Sequence, residues 1–160
     1  MKKMALATGL AGLLALALTG CVFMQASTYR TSYYDLAQPQ PTEQKCMMLG
    51  LLNNATPARQ RMLYREFGDR MVIDEYNFWV QSPEAMVSRY LFNALPLASN
   101  CDPDKLWRMR GILTEFEINL PGKCVAIGIS YEFVSGGVQK SGALNCRESF
   151  AETTPEAFAA

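Results

Sequence analysis

Two glycine turns, Pro121-Gly122 and Ser135-Gly136-Gly137, cut residues 106–150 into three long apolar-polar stretches. Each stretch is rich in β-branched and aromatic residues, and turns this short join antiparallel neighbours, so the spacing predicts a strand meander. The first stretch, LWRMRGILTEFEINL (106–120), changes character at Gly111: Arg108 and Arg110 share a face before it, and Thr114, Phe116 and Ile118 after it. Arg108, Ile112 and Phe116 have equal parity, so an unbroken strand would put charge and core on one side. A bulge at Gly111 resolves the conflict. The second strand is KCVAIGISYEFV (123–134) and the third lies near 139–150, which brings Cys124 and Cys146 together across a hairpin.

Upstream, KCMMLGLL (45–52) is an apolar run short enough for a buried strand, ended by Asn53-Asn54-Ala55-Thr56-Pro57. Gly68-Asp69 is a tight-turn pair with hairpin arms at about 60–67 and 70–76, carrying Met62, Tyr64, Met71 and Ile73. Ser82-Pro83-Glu84 starts a helix, with a hydroxyl cap, proline in the first turn and a carboxylate at the positive end of the dipole. Pro96 stops it after Leu95. Met86, Val87, Tyr90, Leu91, Ala94 and Leu95 form its apolar face, with Ser88, Arg89 and Asn93 opposite. Trp79, Tyr90 and Leu91 are expected in the core, whereas Phe92 points away and is a candidate contact with another chain. Thr153-Thr154-Pro155-Glu156 opens a second helix of which one turn follows, so either the chain is truncated there or Phe158 packs as a plug. The expected fold class is α+β: a mixed or mostly antiparallel sheet of about five to six strands, one main helix (82–95) on one face, and a truncated C-terminal helix start.

The N-terminus sets the compartment. Met1-Lys2-Lys3 precedes an apolar run ending in Leu18-Thr19-Gly20-Cys21. Its length is at the short end for a bilayer span, which takes roughly 20 apolar residues, but suits an export signal. Its end resembles the bacterial lipobox, which implies cleavage before Cys21 and acylation of that cysteine. Residues 1–20 are then a signal peptide and 21–44 a lipid-anchored tether rich in Gln, Ser, Thr and Pro. The domain proper is 45–160. Within the tether, Tyr33-Tyr34-Asp35-Leu36 reads as a short edge strand or a clip onto the domain. Loss of Lys2 and Lys3 with the leader leaves a slight acidic excess, which gives no reason to expect nucleic acid as a partner.

Cys46, Cys101, Cys124 and Cys146 would face an oxidising periplasm and allow three disulfide connectivities. The hairpin favours Cys124–Cys146, with Cys46–Cys101 as the remainder. Long gaps, no C-x-x-C and no histidine argue against a metal site. The lack of histidine also removes the usual general base, and no nucleophile elbow, phosphate loop or dinucleotide fingerprint occurs. Glu115 with Glu117, and Asp74 with Glu75, read as solvated strand faces rather than catalytic carboxylates. Arg108 and Arg110 are expected to pair with carboxylates across strands. No enzymatic activity and no cofactor are expected.

The order of these features resembles the ABC-type transport auxiliary lipoproteins that accompany mammalian-cell-entry (MCE) lipid-transport systems. The resemblance rests on the lipobox, Tyr33-Tyr34-x-Leu36, Arg61–Tyr64, Tyr76, Trp79, Pro83, the helix Met86–Leu95 with Arg89, and T-E-F-E at 114–117. It spans about residues 29–158 and lies in order and spacing rather than in one diagnostic motif. It implies a non-enzymatic lipoprotein on the periplasmic face of the envelope, working with an MCE-domain protein and an ABC permease and ATPase. Homo-oligomerisation is a further possibility. Val22-Phe23 lacks the aspartate that commonly retains lipoproteins in the inner membrane, which favours the outer one. The family normally ends in a full amphipathic helix, and this chain departs from that pattern. The alternative function is a lipoprotein assembly factor or chaperone for another outer-membrane component.

Overall fold

The three long strands of the C-terminal third organise everything else. The computed structural model describes residues 29–159, so the leader and Cys21 lie outside the described residues. The strands in chain order are β1 (Ser32–Tyr34), β2 (Met47–Asn54), β3 (Arg61–Arg65), β4 (Met71–Trp79), β5 (Trp107–Asn119), β6 (Cys124–Ser135) and β7 (Val138–Ser149). Helix α1 (Pro83–Ala94) joins β4 to β5, and a single turn, α2 (Pro155–Ala159), follows β7. All seven strands form one mixed sheet in the order β1-β4-β3-β5-β6-β7, with β2 also on β5. β5, β6 and β7 make the expected meander. β2 and β3 share the other edge of β5, both parallel to it, β2 along 107–113 and β3 at 118–119. The sheet dominates the molecule, with more strands than the five to six expected.

A bulge does resolve the parity conflict in β5, but not at Gly111. Leu113 pairs with Ile129 and Glu115 with Gly128, so Thr114 is the extra residue. The core face passes from Met109 and Leu113 before the bulge to Phe116 and Ile118 after it. Gly111 serves another purpose. A Cβ there would lie 2.8 Å from Leu52 Cδ2 and 3.0 Å from the Ser130 carbonyl oxygen, so the missing side chain lets Leu52 in. β2 carries its own register shift between Leu49 and Leu52, which buries both despite their opposite parity.

The β3–β4 hairpin forms as expected, with Gly68 and Asp69 at positive φ (71° and 61°) in its turn. β4 then bulges between Ile73 and Phe78. Asp74 holds that bulge: its carboxylate accepts from the Tyr76 and Asn77 amides (2.8 and 3.0 Å), the Asn77 side chain (2.8 Å) and the Tyr64 hydroxyl (2.7 Å).

Helix α1 lies against β2. Ser82 occupies the cap position, but its hydroxyl donates to Glu84 Oε1 (2.6 Å) instead of capping a backbone amide. Ser88, expected on the outer side, is buried, and its Oγ accepts the Leu52 amide at 3.0 Å. The register shift in β2 turns that amide toward the helix. The outer side is covered by the segment after β1. Asp35 pairs with Arg89, Gln38 Oε1 accepts from Asn93 Nδ2 (3.2 Å), and Thr42 bonds the Ala94 carbonyl. The compact unit therefore begins at Thr31 rather than at residue 45, and the aromatic stretch is an edge strand parallel to β4.

The core gathers Leu52, Met62, Trp79, Met86, Leu113, Phe116 and Ile118, with Trp79 edge-on to Phe116 at 5.4 Å between centroids. Phe158 plugs its end, edge-on to Phe150 (4.7 Å) and Tyr64 (6.0 Å). One turn of helix is not stable alone. Here α2 is held by that ring and by two bonds to the β1 region, Tyr34 hydroxyl to Glu156 (2.9 Å) and Ala37 amide to Ala159 carbonyl (3.1 Å).

Candidate functional site

The cysteines divide differently from the expectation. Cys46 and Cys101 form a disulfide, with Cα atoms 5.3 Å apart. Cys124 and Cys146 are free thiols, the first buried and the second exposed. The reason is register: Cys124 faces Ser149, whereas Cys146 faces Ile127. Residues 124 and 127 differ by an odd number, so the two thiols stand on opposite sides of the sheet.

Of the two acidic pairs, Glu115, Glu117 and Asp74 have structural partners, and Glu75 is exposed as expected. Glu117 is buried, not solvated, and takes a bidentate contact from Arg65 (Nε–Oε1 2.5 Å, Nη2–Oε2 2.8 Å). Glu115 pairs across strands with Arg147 (3.0 Å), and Arg110 with its cross-strand partner Glu132. Burial alone would raise the pKa of Asp74, but the bonds from Asn77, Tyr76 and Tyr64 outweigh it and hold the carboxyl below its usual range. The Tyr64 phenol is pushed up, by burial first and by the same carboxylate second. Among the described residues, no group of three or more metal-ligating side chains comes together. Phe92 is exposed, as expected of a side chain off the apolar face.

On the α1 side of the sheet the picture is different. A cleft of about 450 Å³ opens between α1, α2 and the β6–β7 ribbon. Ile127 and Ile129 form its floor, Leu144 and Cys146 one wall, Tyr90 and Leu91 the other, and Phe158 its end. Leu91 packs against the core as expected and also lines this cleft, whereas Tyr90, expected in the core, faces the cleft and is 39% exposed. Among the described residues, α1 lies on β2 and no second long helix covers β6 and β7. Apolar side chains of β6–β7 therefore reach solvent.

Further along the same ribbon lies a second, shallower cleft of about 630 Å³. Its base is aromatic, Trp107 and Phe133, and Lys45, Lys105 and Lys140 stand around it, with Lys140 Nζ 5.3 Å from the Trp107 ring centroid. Lys45 and Lys105 each touch one exposed carboxylate at long range, Glu43 (3.5 Å) and Asp102 (3.7 Å). Leu95, one turn beyond Leu91 on the helix side, lines this second cleft. Sequence reasoning missed it because its parts come from the starts of β2, β5 and β7 and the end of β6. The available signal was parity: Trp107 has the inward parity of Met109, and Phe133 that of Ile129.

No family model matches the chain, and no curated protein matches it. The fold itself occurs elsewhere. A crystal structure of an uncharacterized protein is 13% identical, with a TM-score of 0.64 over 80% of this chain and 86% of that one. Protein XCC0632 from Xanthomonas campestris, of the DUF330 family model, is 12% identical, with a TM-score of 0.58 over 81% and 83%. At such identity the likeness is one of fold.

Proposed function

We propose that this chain is a non-enzymatic lipoprotein. In this reading it is anchored through acylated Cys21 on the periplasmic face of the outer membrane, and serves as the auxiliary component of an ABC/MCE-type system moving lipids or other apolar molecules. The observation that supports the reading is the largely apolar cleft beside α1, in a domain whose Glu115 and Glu117 are already paired with arginines. The leader adds to it. Several acyl chains, at about 0.8 kcal/mol per buried methylene, make an anchor that does not let go.

The test has two arms. A Cys21→Ser variant is expected to leave the membrane fraction after carbonate washing, and retention there would end the lipobox reading. Pull-down of the full chain from envelopes, with mass spectrometry, is expected to recover an MCE-domain protein with its permease or ATPase. Repeated recovery of an unrelated outer-membrane protein without any MCE component would replace this reading with the assembly-factor one.

A further inference from the structure

The two clefts on the α1 side lie end to end along the β6–β7 ribbon. On β6 the residues facing α1 run Ile127, Ile129, Tyr131, Phe133, and on β7 their partners run Cys146, Leu144, Gly142, Lys140. The first two pairs line the apolar cleft and the last lines the lysine cleft. On the ribbon, the pair Tyr131–Gly142 falls between them. A Cβ on Gly142 would come 2.7 Å from the Tyr131 hydroxyl and 2.9 Å from Cζ, so the tyrosine lies flat across the glycine. A glycine opposite a tyrosine thus keeps the ridge between the halves low. On the helix side, Leu91 and Leu95 continue from one half to the other at a spacing of one turn. From Ile127 to Phe133 the ribbon advances about 20 Å.

The ends of this track differ in chemistry. One end is lined mainly by aliphatic side chains and the Phe158 ring; its lining includes the Glu148 carboxylate but no cation, so an anionic headgroup is disfavoured there. The other has an aromatic base and three lysines, whose contacts with exposed Glu43 and Asp102 are long and easily exchanged. A neutral apolar molecule would leave the lysines unused, and a free inorganic anion would leave the apolar end empty. We propose that the groove binds a single-chain anionic amphiphile. Its hydrocarbon chain lies over Ile127, Ile129 and Leu144, and its anionic oxygens, carboxylate or phosphate, sit among Lys45, Lys105 and Lys140. This deepens the apolar-cargo reading above and rests on it only for taking the α1 side as a ligand site.

Cys146 is a native reporter, a free exposed thiol in the wall of the apolar half. The full chain in lipid nanodiscs is treated with maleimide, and alkylation is read on the Cys146 peptide by mass spectrometry. Laurate and dodecyl phosphate are expected to slow alkylation. Dodecanol should need about tenfold more for the same protection, the ratio that charge-assisted contacts confer. Inorganic phosphate alone should give none, because it cannot reach the apolar end. In a Lys45→Gln/Lys105→Gln/Lys140→Gln variant, laurate and dodecanol should become equivalent. Equal protection by laurate and dodecanol in the unaltered chain overturns the headgroup assignment. Protection by phosphate alone overturns the spanning pose, and no protection by any amphiphile overturns the site. None of these results bears on which proteins co-purify, so the transport reading stands or falls separately.

Discussion

Removing either partner of the Arg65–Glu117 pair should cost different amounts, because the two side chains differ in their access to water. The Glu117 side chain is 7% exposed and that of Arg65 31% exposed. Arg65→Met leaves a carboxylate stranded in a site where water barely reaches. Breaking a buried pair in this way costs about 3 kcal/mol. Glu117→Met leaves the guanidinium behind, but Arg65 can turn outward into solvent, and Asp69 already lies 3.4 Å from its Nη1. That variant should lose about 1 kcal/mol, nearer the scale of a surface pair. The double variant removes both charges and leaves neither buried alone. It should fall closer to the wild type than Arg65→Met does, because replacing a pair with apolar groups is often neutral. Urea unfolding followed by tryptophan fluorescence measures all three. For a domain of this size about 3 kcal/mol is worth about 12 °C in Tm. If Glu117→Met proves as damaging as Arg65→Met, the argument from unequal exposure is wrong.

Acid should weaken the β4 bulge. Asp74 has a folded-state pKa below its unfolded one, so its contribution is complete above about pH 4 and is lost as pH falls through the depressed value. Asp74→Asn should therefore be less stable at neutral pH yet show a shallower acid transition in pH-dependent denaturation. At the other extreme, Tyr64 has a raised pKa, so its contribution is lost as pH rises above about 10, and Tyr64→Phe should flatten the alkaline limb of the same profile. The Cys46–Cys101 disulfide closes a loop with a sequence separation of 55 residues, which chain entropy equates with about 4 kcal/mol. A Cys46→Ser/Cys101→Ser variant should lose a comparable amount in denaturant titration, and an unchanged midpoint would refute that estimate. Phe158→Ala should cost about 3 kcal/mol and expose Phe150 and Tyr64. Hydrogen exchange should then rise first at Ala37, whose amide bonds the α2 turn.

Turn chemistry was legible in the chain from the start. Pro121-Gly122, Gly136-Gly137, Gly68-Asp69 and Ser82-Pro83 act through the conformations of their own few residues, so they placed the meander, the hairpin and the helix without further information. The parity conflict in β5 was legible too, as a demand for one extra residue somewhere. Only the tertiary structure put that residue at Thr114, because bulge position depends on how β5 meets β6 and β2 at once. The same holds for the thiols: adjacency of Cys124 and Cys146 follows from the hairpin, but their opposite faces follow from a register set by the whole ribbon. Ser88 and Tyr90 repeat the lesson on α1. Helical periodicity says which residues share a face, and it does not say where the neighbouring sheet ends. The lysine cleft is the extreme case, since residues as far apart as Lys45 and Lys140 meet only once the strand order is known. Local interactions are written residue by residue, whereas a site assembled from four strand ends exists only after the long-range pairings have closed.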